Sequence, residues 1–592
     1  SALLALALIP SLLAQQPAPT PPKSPTLRST TTHAAAYGAT RNTVQVDPAK
    51  DLPRYPAVEP KDALASWQVK PGFHLELAAH EPSVRDPIAM CFDERGRLFV
   101  CEMIDYSERR DETPHLGRVS VLEDTDNDGT YETSKVFADN LPWPTGLIWA
   151  NGGLYVAATP DIWRFEDRDH DGHAEHREIA FTGFGTGLKL LNVQGMLNSL
   201  QWGQDNRIHL LAGGGNRGII SSPKRPQQPA EEISGRDFWF DPLSHEFGFE
   251  SGGAQYGMSF DNFGRKFACS NSDHLQHWIA DDRLLPKGMQ SPRHSIAADG
   301  GAAEVFRISP DEPWRIVRTR WRIAGVVKGM VEGGGRVSGY FTGATGTTVY
   351  RGDAFGEDFV NNTFTGDAGG QLVHRKQISP ASDGVTLTGK RPADESNREF
   401  AASKDTWVRV VNFANAPDGC LYICDMYREV IEHPWSIPDE IKTHLDLNSG
   451  NDRGRLWRIT PDQGRPKRGS KVDLASASTD TLVETLAHPN GWHRDTAHRL
   501  LAERRDPSSE GPLRKLLHSA QPAPRLHAMG ALHAIGKLED ADLIRIASAS
   551  EQPETVRERA ITWLAARHAL TKQVVSALAN TSSARLHFVA AA

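Results

Sequence analysis

Residues 86–103, DPIAMCFDERGRLFVCEM, contain an apolar strand, a tight turn with a glycine, and a second apolar strand that ends in small residues. The pattern returns as PTGLIWANGGLYVAATP (144–160), LNSLQWGQDNRIHLLAGG (197–214), AQYGMSFDNFGRKFACSN (254–271) and VRVVNFANAPDGCLYICDM (408–426). A looser copy, TTVYRGDAFGEDFVNNTFTGD (347–367), fills the long gap before the last one. Six copies of one strand–turn–strand unit predict a repeat architecture.

Each early copy is followed by a second pair of strands, such as RVSVLED and then YETSKVFAD. The repeating unit is therefore a four-stranded antiparallel sheet of about 50 residues, and such sheets bury both faces by stacking radially. We predict a mainly β fold, a six-bladed β-propeller over residues 70–461. The segments FHLELAAH (73–80) and GRLWRIT (454–460) are candidates for closing the ring. An array of β-sandwiches is the alternative.

Length and composition set further limits. The 592 residues exceed the ~100–200 typical of one domain, so at least two cores are expected. With 66 basic and 74 acidic side chains the net charge is −8, and the sequence has no dense Lys/Arg block, so we expect no nucleic-acid partner. Five cysteines in so long a chain do not predict a disulfide scaffold, and no C-x-x-C-H haem motif is present.

The N-terminal residues 1–14, SALLALALIPSLLA, form an apolar run that is short for a membrane span and is interrupted by Pro10. This pattern predicts a signal peptide-like segment, and hence export to the periplasm or the cell surface. An uncleaved anchor, with membrane association, is the alternative. Residues 15–69 are expected to be a Pro/Thr-rich linker and an N-terminal arm.

After Pro461 the sequence becomes rich in Ala and Leu with helical spacing. An Arg-x-x-Ala pattern recurs at Arg494, Arg525 and Arg557, in steps of 31 and 32 residues. Each copy follows another amphipathic segment, which predicts helix pairs stacked as an α-solenoid similar to HEAT repeats. We assign residues 462–480 to a linker and 481–592 to these repeats, and we expect the chain to end within a fourth copy.

Two acidic loops match the calcium-loop pattern. DRDHDGHAEHRE (167–178) has Asp167, Asp169, Asp171, a glycine, and Glu178 at the twelfth place, with Glu175 as a further carboxylate. Alternate residues of one loop can direct several oxygens at a hard cation. The sister loop DTDNDGTYETSK has Lys135 at the twelfth place, so Glu132 would assist the three aspartates Asp124, Asp126 and Asp128. Strand patterns flank both loops, which predicts structural Ca²⁺ at the outer edge of blades 1 and 2. A polar turn without metal is the alternative.

Ligands of propellers usually meet the loops at one mouth of the central channel. Polar residues follow the second strand of several units and are expected to converge there: Asp105 and Tyr106, Arg217, Asn271 and His274, and Asp425, Tyr427 and Arg428. For each residue alone, a turn cap or a surface position is the simpler interpretation.

Several stretches resemble a known family. DPIAMCFDERGRLFVCEMIDY, LEDTDNDGTYETSKVFADNLPWPTG, SNSDH, YRGDAFG and DGCLYICDMYREVIEHPWSIP are similar to the planctomycete-type family of large secreted proteins called membrane-bound dehydrogenases. The resemblance covers most of residues 70–592. It implies a propeller like that of quinoprotein sugar dehydrogenases, HEAT-like repeats, and a C-terminal cytochrome c domain with haem c, which we expect beyond residue 592.

The resemblance also implies site roles. A quinoprotein needs a base and a cationic clamp for pyrroloquinoline quinone (PQQ). Where the family has a histidine base, this sequence has Gln194, Gly195 and Asn198. The candidates to replace that base are His274, Asp105 and Asp425. The candidates to hold the cofactor are Arg217, Arg409, Arg428, Tyr427 and Asn271.

Two hypotheses follow. In the first, the protein is an exported quinoprotein-type oxidoreductase that oxidises a sugar or another alcohol in the propeller mouth and passes electrons to a c-type cytochrome domain. In the second, the propeller and the repeats form a non-catalytic scaffold that binds a glycan or a protein. The missing histidine favours the second.

Overall fold

The computed structural model of the protein describes Ser29 and residues 32–38, 44–213, 216–286, 288–463 and 472–591. The signal peptide-like segment lies outside the described residues, as does part of the predicted linker and arm. Before the propeller come α1 (His33–Tyr37), α2 (Pro48–Asp51), α3 (Pro60–Ala63) and β1 (Trp67–Val69). In the described ranges, no helix is both long enough and apolar enough to cross a membrane.

Six antiparallel sheets form the six blades of a propeller, and the predicted fold class is confirmed. The first strand of the ring is β2 (Phe73–His80). Blade 1 contains β3 (Pro87–Phe92), β4 (Leu98–Glu102), β5 (Gly117–Glu123) and β6 (Thr133–Leu141). Blade 2 contains β7 (Gly146–Ala150), β8 (Gly153–Ala158), β9 (Asp161–Glu166) and β10 (His176–Thr182).

Blade 3 contains β11 (Asn198–Trp202), β12 (Ile208–Leu211), β15 (Arg236–Phe240) and β16 (Phe247–Ser251), with a hairpin of β13 (Arg217–Ile220) and β14 (Glu231–Ser234) inserted. Blade 4 contains β17 (Met258–Phe260), β18 (Lys266–Ala268), β19 (Gln276–Trp278) and β20 (Arg293–Ser295). The helix α4 (Pro313–Ile323) lies between blades 4 and 5 in the chain.

Blade 5 contains β21 (Ala344–Val349), β22 (Asn362–Asp367), β23 (Leu372–Pro380), β24 (Leu387–Lys390) and β25 (Ala401–Ser403). The strand β1 pairs with β25, so the end of the predicted arm is part of this sheet. Blade 6 contains β26 (Val410–Asn415), β27 (Leu421–Asp425) and, after α5 (Asp439–Lys442), β28 (Arg455–Pro461).

The ring closes in blade 6. There β28 pairs with β2, so the two segments proposed from the sequence join the ends of the propeller. The first strands of the six blades contact one another in a closed cycle, from β3 through β7, β11, β17 and β21 to β26 and back. Strands near the axis, such as β4, β8 and β27, are buried along their whole length because both faces pack against neighbouring blades.

Helix pairs follow the propeller, as predicted. They are α6 (Thr479–Thr485) with α7 (Gly491–Arg504), α8 (Glu510–Leu516) with α9 (Pro522–Ala534), α10 (Asp540–Ser548) with α11 (Glu554–Ala566), and α12 (Lys572–Ala579) with α13 (Ala584–Ala591). In the first three repeats the recurring arginine donates to main-chain carbonyl groups in the preceding helix or in the turn just after it. Arg494 donates to His488 and Pro489, Arg525 to Ser519, and Arg557 to Ala547.

The helix α7 covers one end of the propeller axis. We call the face that carries the turns between the first two strands of each blade the lower face. The turns of all six blades contact α7 or its cap through Glu94, Asn151, Asn206, Asn262, Arg351 and Pro417. Gly491 permits the closest approach, because its N–H donates to the Arg351 carbonyl at 2.7 Å and a Cβ atom would stand 2.8 Å from the Arg351 Cβ atom.

Candidate functional site

The two acidic loops lie between the third and fourth strands of blades 1 and 2, away from the axis. In the first loop Asp124, Asp126, Asp128 and Glu132 each bring an oxygen to within 4.8 Å of the others. In the second loop the same holds for Asp167, Asp169, Asp171 and Glu175. Both loops therefore have the oxygen ligands that fit a calcium ion.

The two loops share one backbone design. Asn127 and His170 have φ 62°, and Gly129 and Gly172 have φ 91°. In each loop the first aspartate accepts hydrogen bonds from the two main-chain N–H groups four and five residues further on. These bonds hold the carboxylates on one side of the turn, so the loop shape is built before any cation binds.

Glu178, predicted as a calcium ligand, does not join the carboxylate cluster of the second loop. It lies on β10 opposite Arg164, and its carboxylate contacts His176 at 3.1 Å and the Lys224 ammonium group. The physical reason is that the chain continues from the loop as a strand. A strand carries the twelfth residue away from the loop, whereas the helix of an EF-hand would bring it back.

The opposite end of the axis, which we call the upper face, carries the residues that follow the second strand of each blade. There the carboxylates mostly cap turns. Asp425 accepts hydrogen bonds from the N–H groups of Arg409 and Tyr427 and from the indole of Trp457. Burial raises its pKa to about 6. Asp367 likewise accepts from the N–H groups of Gly369 and Gly370. Asp425 is therefore engaged as a turn cap, and its role as a base stays a prediction.

Two of the predicted cofactor arginines are fully buried in ion pairs. Arg428 makes a bidentate contact with Asp86, and Arg409 contacts Glu312 at 2.7 Å and main-chain carbonyls. Tyr427 is also buried, donates a hydrogen bond to Asp405 at 2.7 Å and stacks on Arg455. These three side chains hold the upper face together and are not presented to a ligand, which corrects their assignment as a quinone clamp.

The two remaining base candidates are buried. His274 stacks on Phe341 at 4.3 Å, and one ring nitrogen lies 3.1 Å from the Gly301 carbonyl. Burial and the neighbouring His374 hold its pKa well below the usual range. Asp105 accepts from the Trp143 N–H at 2.8 Å, and burial raises its pKa to about 7. Neither side chain is exposed at the mouth, so their assignment as catalytic bases is not supported by this arrangement.

The other two cofactor candidates are separated. Arg217 is exposed on the inserted hairpin of blade 3. Asn271 is exposed too, but it lies at the axis and lines a cavity there. Of the eight residues proposed for catalysis or cofactor binding, the structure places Asn271 on this cavity.

The cavity at the upper end of the axis has a volume of about 90 Å³, and we call it the axial cavity. All six blades contribute to it, and Arg315 of α4 and Glu432 lie over it. The polar side chains in its wall are Tyr106, Thr145, Gln194, Gln255, Tyr256, Asn271, Arg315, Thr342, Thr345 and Glu432. The helix α4 therefore covers the upper end of the channel, as α7 covers the lower end.

Several donors around the axial cavity have no acceptor. The Tyr106 hydroxyl is buried beside the Gln194 amide without a well-aligned hydrogen bond. Arg315 is 4% exposed, and its Nε atom donates to Glu312 at 3.1 Å. Its Nη2 atom lies near Gly369, where a Cβ atom would be 3.2 Å away, and its terminal nitrogens donate to no described residue. In contrast, Glu432 already accepts from Arg318 at 2.8 Å.

The sequence analysis did not find Arg315. The pattern that could have identified Arg315 is the segment PWRIVRTRWRI (313–323), which forms an arginine-rich amphipathic helix in the long gap between the fourth and fifth units. The sequence analysis did single out Gln194, at the position where a histidine base was expected. Gln194 lines the axial cavity.

The axial cavity does not fit PQQ. A three-ring tricarboxylate needs a pocket in the ~300–1,000 Å³ range of ordinary ligand sites, and the cavity has about 90 Å³. The arginines expected to clamp it are engaged with Asp86 and Glu312. No reaction step through a quinone is therefore derived from this structure.

These features define a class: a six-bladed β-propeller with both ends of its axis covered, joined to HEAT repeats. Residues 59–463 match the family model described as a domain of unknown function, DUF7133, and the chain belongs to that family. Residues 479–565 match the model of HEAT repeats. No curated protein matches the sequence.

Solved propellers resemble the chain weakly. A luciferin-regenerating enzyme is 10% identical, with a TM-score of 0.37 over 68% of this chain and 100% of its own. The PQQ domain of pyranose dehydrogenase from Coprinopsis cinerea is 13% identical, with a TM-score of 0.35 over 69% and 98%. The calcium-binding protein regucalcin from Agrobacterium tumefaciens is 11% identical, with a TM-score of 0.35 over 67% and 97%. Similarity at this level carries no information about ligand or reaction.

Proposed function

We propose that this protein binds a small molecule with a carboxylate group in the axial cavity. The observation that supports the proposal is that two buried side chains in the cavity wall have donors without a hydrogen-bond acceptor among the described residues: the hydroxyl of Tyr106 and the terminal nitrogens of Arg315. An arginine presents parallel N–H groups that match the two oxygens of a carboxylate. The cavity has the volume of about three water molecules, which suits acetate or the end group of a larger acid.

The surrounding charges support the same ligand class. Glu432 and Glu312 are neutralised by Arg318 and Arg409, so neither competes fully for Arg315. The side chains of Gln194 and Asn271 add amide donors at the wall. The ligand therefore meets donors on several sides of the cavity wall.

The test is a titration of the full chain with formate, acetate, glycolate and lactate, followed by calorimetry, with acetamide as the neutral analogue. We expect at least one acid to bind. Arg315→Lys should lower its affinity about tenfold or more, because lysine keeps the positive charge but lacks the two parallel N–H groups of arginine. Tyr106→Phe should weaken it less. Arg322→Lys, on the same helix, is the control, because Arg322 donates to the carbonyls of Met330 and Ser436 instead.

Equal affinity for acetamide and acetate, or unchanged affinity in Arg315→Lys, contradicts the proposal.

The quinone-dependent oxidation of a sugar or another alcohol, with transfer of electrons to a c-type cytochrome, is the second candidate. Gln194 lies in the cavity wall at the position where the histidine base was expected, so a proton acceptor for this reaction would have to come from another side chain. A titration with PQQ in the presence of Ca²⁺ separates the two candidates. With α4 in place we expect no binding; saturable binding that Arg315→Lys weakens would support the oxidoreductase instead.

We also propose that the two acidic loops bind Ca²⁺ as a structural ion. Each loop is attached to the blade before it: the Tyr131 N–H donates to Ala78 of β2, and the Ala174 N–H donates to Phe137 of β6, both at 2.9 Å. A cation in these loops would therefore stabilise the joins of blade 6 to blade 1 and of blade 1 to blade 2.

A further inference from the structure

A cleft separates blade 3 from the helical repeats. It consists of two adjoining cavities of about 570 and 310 Å³, and both are lined by Trp202, Asp205, Arg207, Trp239 and Arg283. We call the two cavities together the interdomain cleft. The larger one lies within the ~300–1,000 Å³ range of ordinary ligand sites, unlike the axial cavity.

Trp239 forms an aromatic platform on the propeller wall of this cleft. It lies on β15, and its ring packs on Gly248 of β16, where a Cβ atom would stand 2.5 Å from the ring carbon Cζ2. The guanidinium of Arg207 stacks 3.6 Å from the ring centroid. The glycine thus lets the half-buried indole lie flat against the sheet at the edge of the cavity.

Two further indoles line the larger cavity. Trp202 comes from β11, and Trp563 comes from α11 in the repeats. The Nε1 atom of each is buried without an acceptor among the described residues, and Trp563 is 6% exposed.

The charged groups of the cleft divide into two sets. Asp205 is bonded to His209 at 3.0 Å, and Glu503 accepts from the Asn151 N–H and from Arg499. In the other set, the guanidinium groups of Arg207 and Arg505 donate no hydrogen bond to any described residue. The Glu246 carboxylate, which also lines the larger cavity, accepts no hydrogen bond from a described residue either, so the cleft offers two guanidinium groups and one carboxylate to a ligand.

A ligand must therefore bring acceptor oxygens for these donors and C–H groups for the indoles. On Trp239 these groups meet the ring edge, because Gly248 and Arg207 cover its two faces. A sugar ring does both, because its hydroxyl oxygens lie at the rim and its C–H bonds form the faces. Leu243 and Leu285 are the largest aliphatic side chains in the larger cavity, which offers little to the apolar anchors of a peptide.

We propose that the interdomain cleft is a binding site for an oligosaccharide. Trp202 and Trp239 contact it from the propeller, and Trp563 contacts it from the repeats. The site therefore needs both domains, which α7 holds together through its contacts with the turns of all six blades.

The test is a binding assay of the full chain against cellohexaose, xylohexaose, a malto-oligosaccharide, oligogalacturonate and a heparin-derived hexasaccharide, followed by tryptophan fluorescence and calorimetry. We expect one of these to bind, with a change in indole emission. Trp239→Ala and Arg207→Ala should each weaken binding about tenfold or more.

The matched controls lie on blade 2. Trp163 occupies the third strand there, as Trp239 does in blade 3, and Arg177 lies 4.7 Å from its ring centroid. Trp163→Ala and Arg177→Ala remove the same kind of pair outside the cleft and should change the affinity less than twofold. Circular dichroism shows which variants are folded.

The proposal is overturned if no member of the panel binds the folded protein at millimolar concentration, or if folded Trp239→Ala and Arg207→Ala both bind as the wild type does. It is also independent of the axial cavity: Arg315→Lys should leave oligosaccharide binding unchanged. A loss of affinity in Arg315→Lys would assign the oligosaccharide to the upper face instead.

Discussion

At the scale of single residues, buried carboxylates dominate the upper face, and most of them are structural. Burial raises the pKa of Asp86 to about 7 even though Arg428 is bonded to it. Asp105 has a similar pKa without such a partner, and one of its oxygens has no hydrogen-bond donor among the described residues. A carboxylate with a raised pKa at the end of a strand is thus not by itself evidence of catalysis.

The Asp105 carboxyl should make stability depend on pH. Its pKa in the folded protein, about 7, lies above its ordinary value of 3.8, so the stabilisation is present below pH 4 and is lost as pH rises through 7. Asp105→Asn removes this loss. We expect the free energy of unfolding of the variant, relative to wild type, to rise by up to about 4 kcal/mol between pH 4 and pH 8, measured by urea denaturation.

The control for this measurement is Asp241→Asn, in a half-exposed turn of blade 3 where the carboxylate accepts hydrogen bonds from the Leu243 N–H and the Ser244 hydroxyl. A difference between Asp105→Asn and wild type that is the same at both pH values would show that ionisation of Asp105 does not affect stability.

At the scale of elements, two kinds of short segment organise the molecule. The acidic loops connect the outer strands of one blade to the preceding blade, through Tyr131 and Ala174. The recurring arginine of the helical repeats donates to carbonyl groups in the helix before it or in the turn that follows that helix, which connects the two helices of a pair. Both devices recur in the chain because the architecture repeats.

Removal of calcium should destabilise the propeller. Four carboxylates within 4.8 Å repel one another without a cation, so Ca²⁺ at 100 times its dissociation constant should stabilise the folded protein by about 2.7 kcal/mol per site. We expect EGTA to lower the melting temperature, and the double variant Asp126→Asn with Asp169→Asn to abolish most of the Ca²⁺ response.

Asp383→Asn serves as the control, because Asp383 caps an exposed turn in blade 5 through the N–H groups of Val385 and Thr386. A melting temperature that EGTA leaves unchanged, in protein freed of bound metal beforehand and then reloaded with Ca²⁺, would contradict calcium binding.

At the scale of the whole molecule, the propeller and the repeats form one interface at the lower face. His498 of α7 lies at its centre, 3.0 Å from Asn206 of blade 3 and 3.2 Å from His527 of α9. Burial lowers the pKa of His498 to about 4. The pKa of His527 is held well below the usual range by burial, by His498, and by Arg494, Arg351 and Arg559. Both histidines are therefore neutral in the folded protein at neutral pH.

Acid should weaken this interface. The folded-state pKa of His498 lies below its ordinary value of 6.5, so the unfolded chain binds protons more readily and stability is lost as pH falls below 6.5. Each such histidine changes the free energy of unfolding by at most about 1.4 kcal/mol per pH unit. We expect His498→Gln, which retains a donor for Asn206, to lose less stability between pH 7.5 and pH 5 than wild type in thermal unfolding.

His587→Gln, at an exposed position of the last helix, is the matched control and should keep the pH dependence of wild type. If His498→Gln has the same pH dependence as wild type, this histidine pair does not govern the loss of stability in acid.

Much of the architecture could be predicted from local patterns. The hairpin unit of residues 86–103 and its copies predicted six blades, and the segments 73–80 and 454–460 predicted how the ring closes. The acidic loops were predicted to lie at the outer edge of blades 1 and 2, and Glu132 and Glu175 do join their aspartates. The site residues were predicted less well. Asn271 and Gln194 line the axial cavity, as expected for residues at the mouth. In contrast, Arg409, Arg428 and Asp425 are fully buried.

The amino-acid sequence by itself determined the blades, the order of the helices and the shape of the acidic loops, because each depends on hydrophobic periodicity and turn residues within a few neighbouring positions. Only the tertiary structure decided what lies at the two ends of the axis. Arg315, Tyr106 and Glu432 are far apart in the chain, as are Trp239 and Trp563, and ring closure and the docking of α4 and α7 bring them together. Whether a polar residue caps a turn or faces a cavity depends on such distant contacts, which no local pattern records.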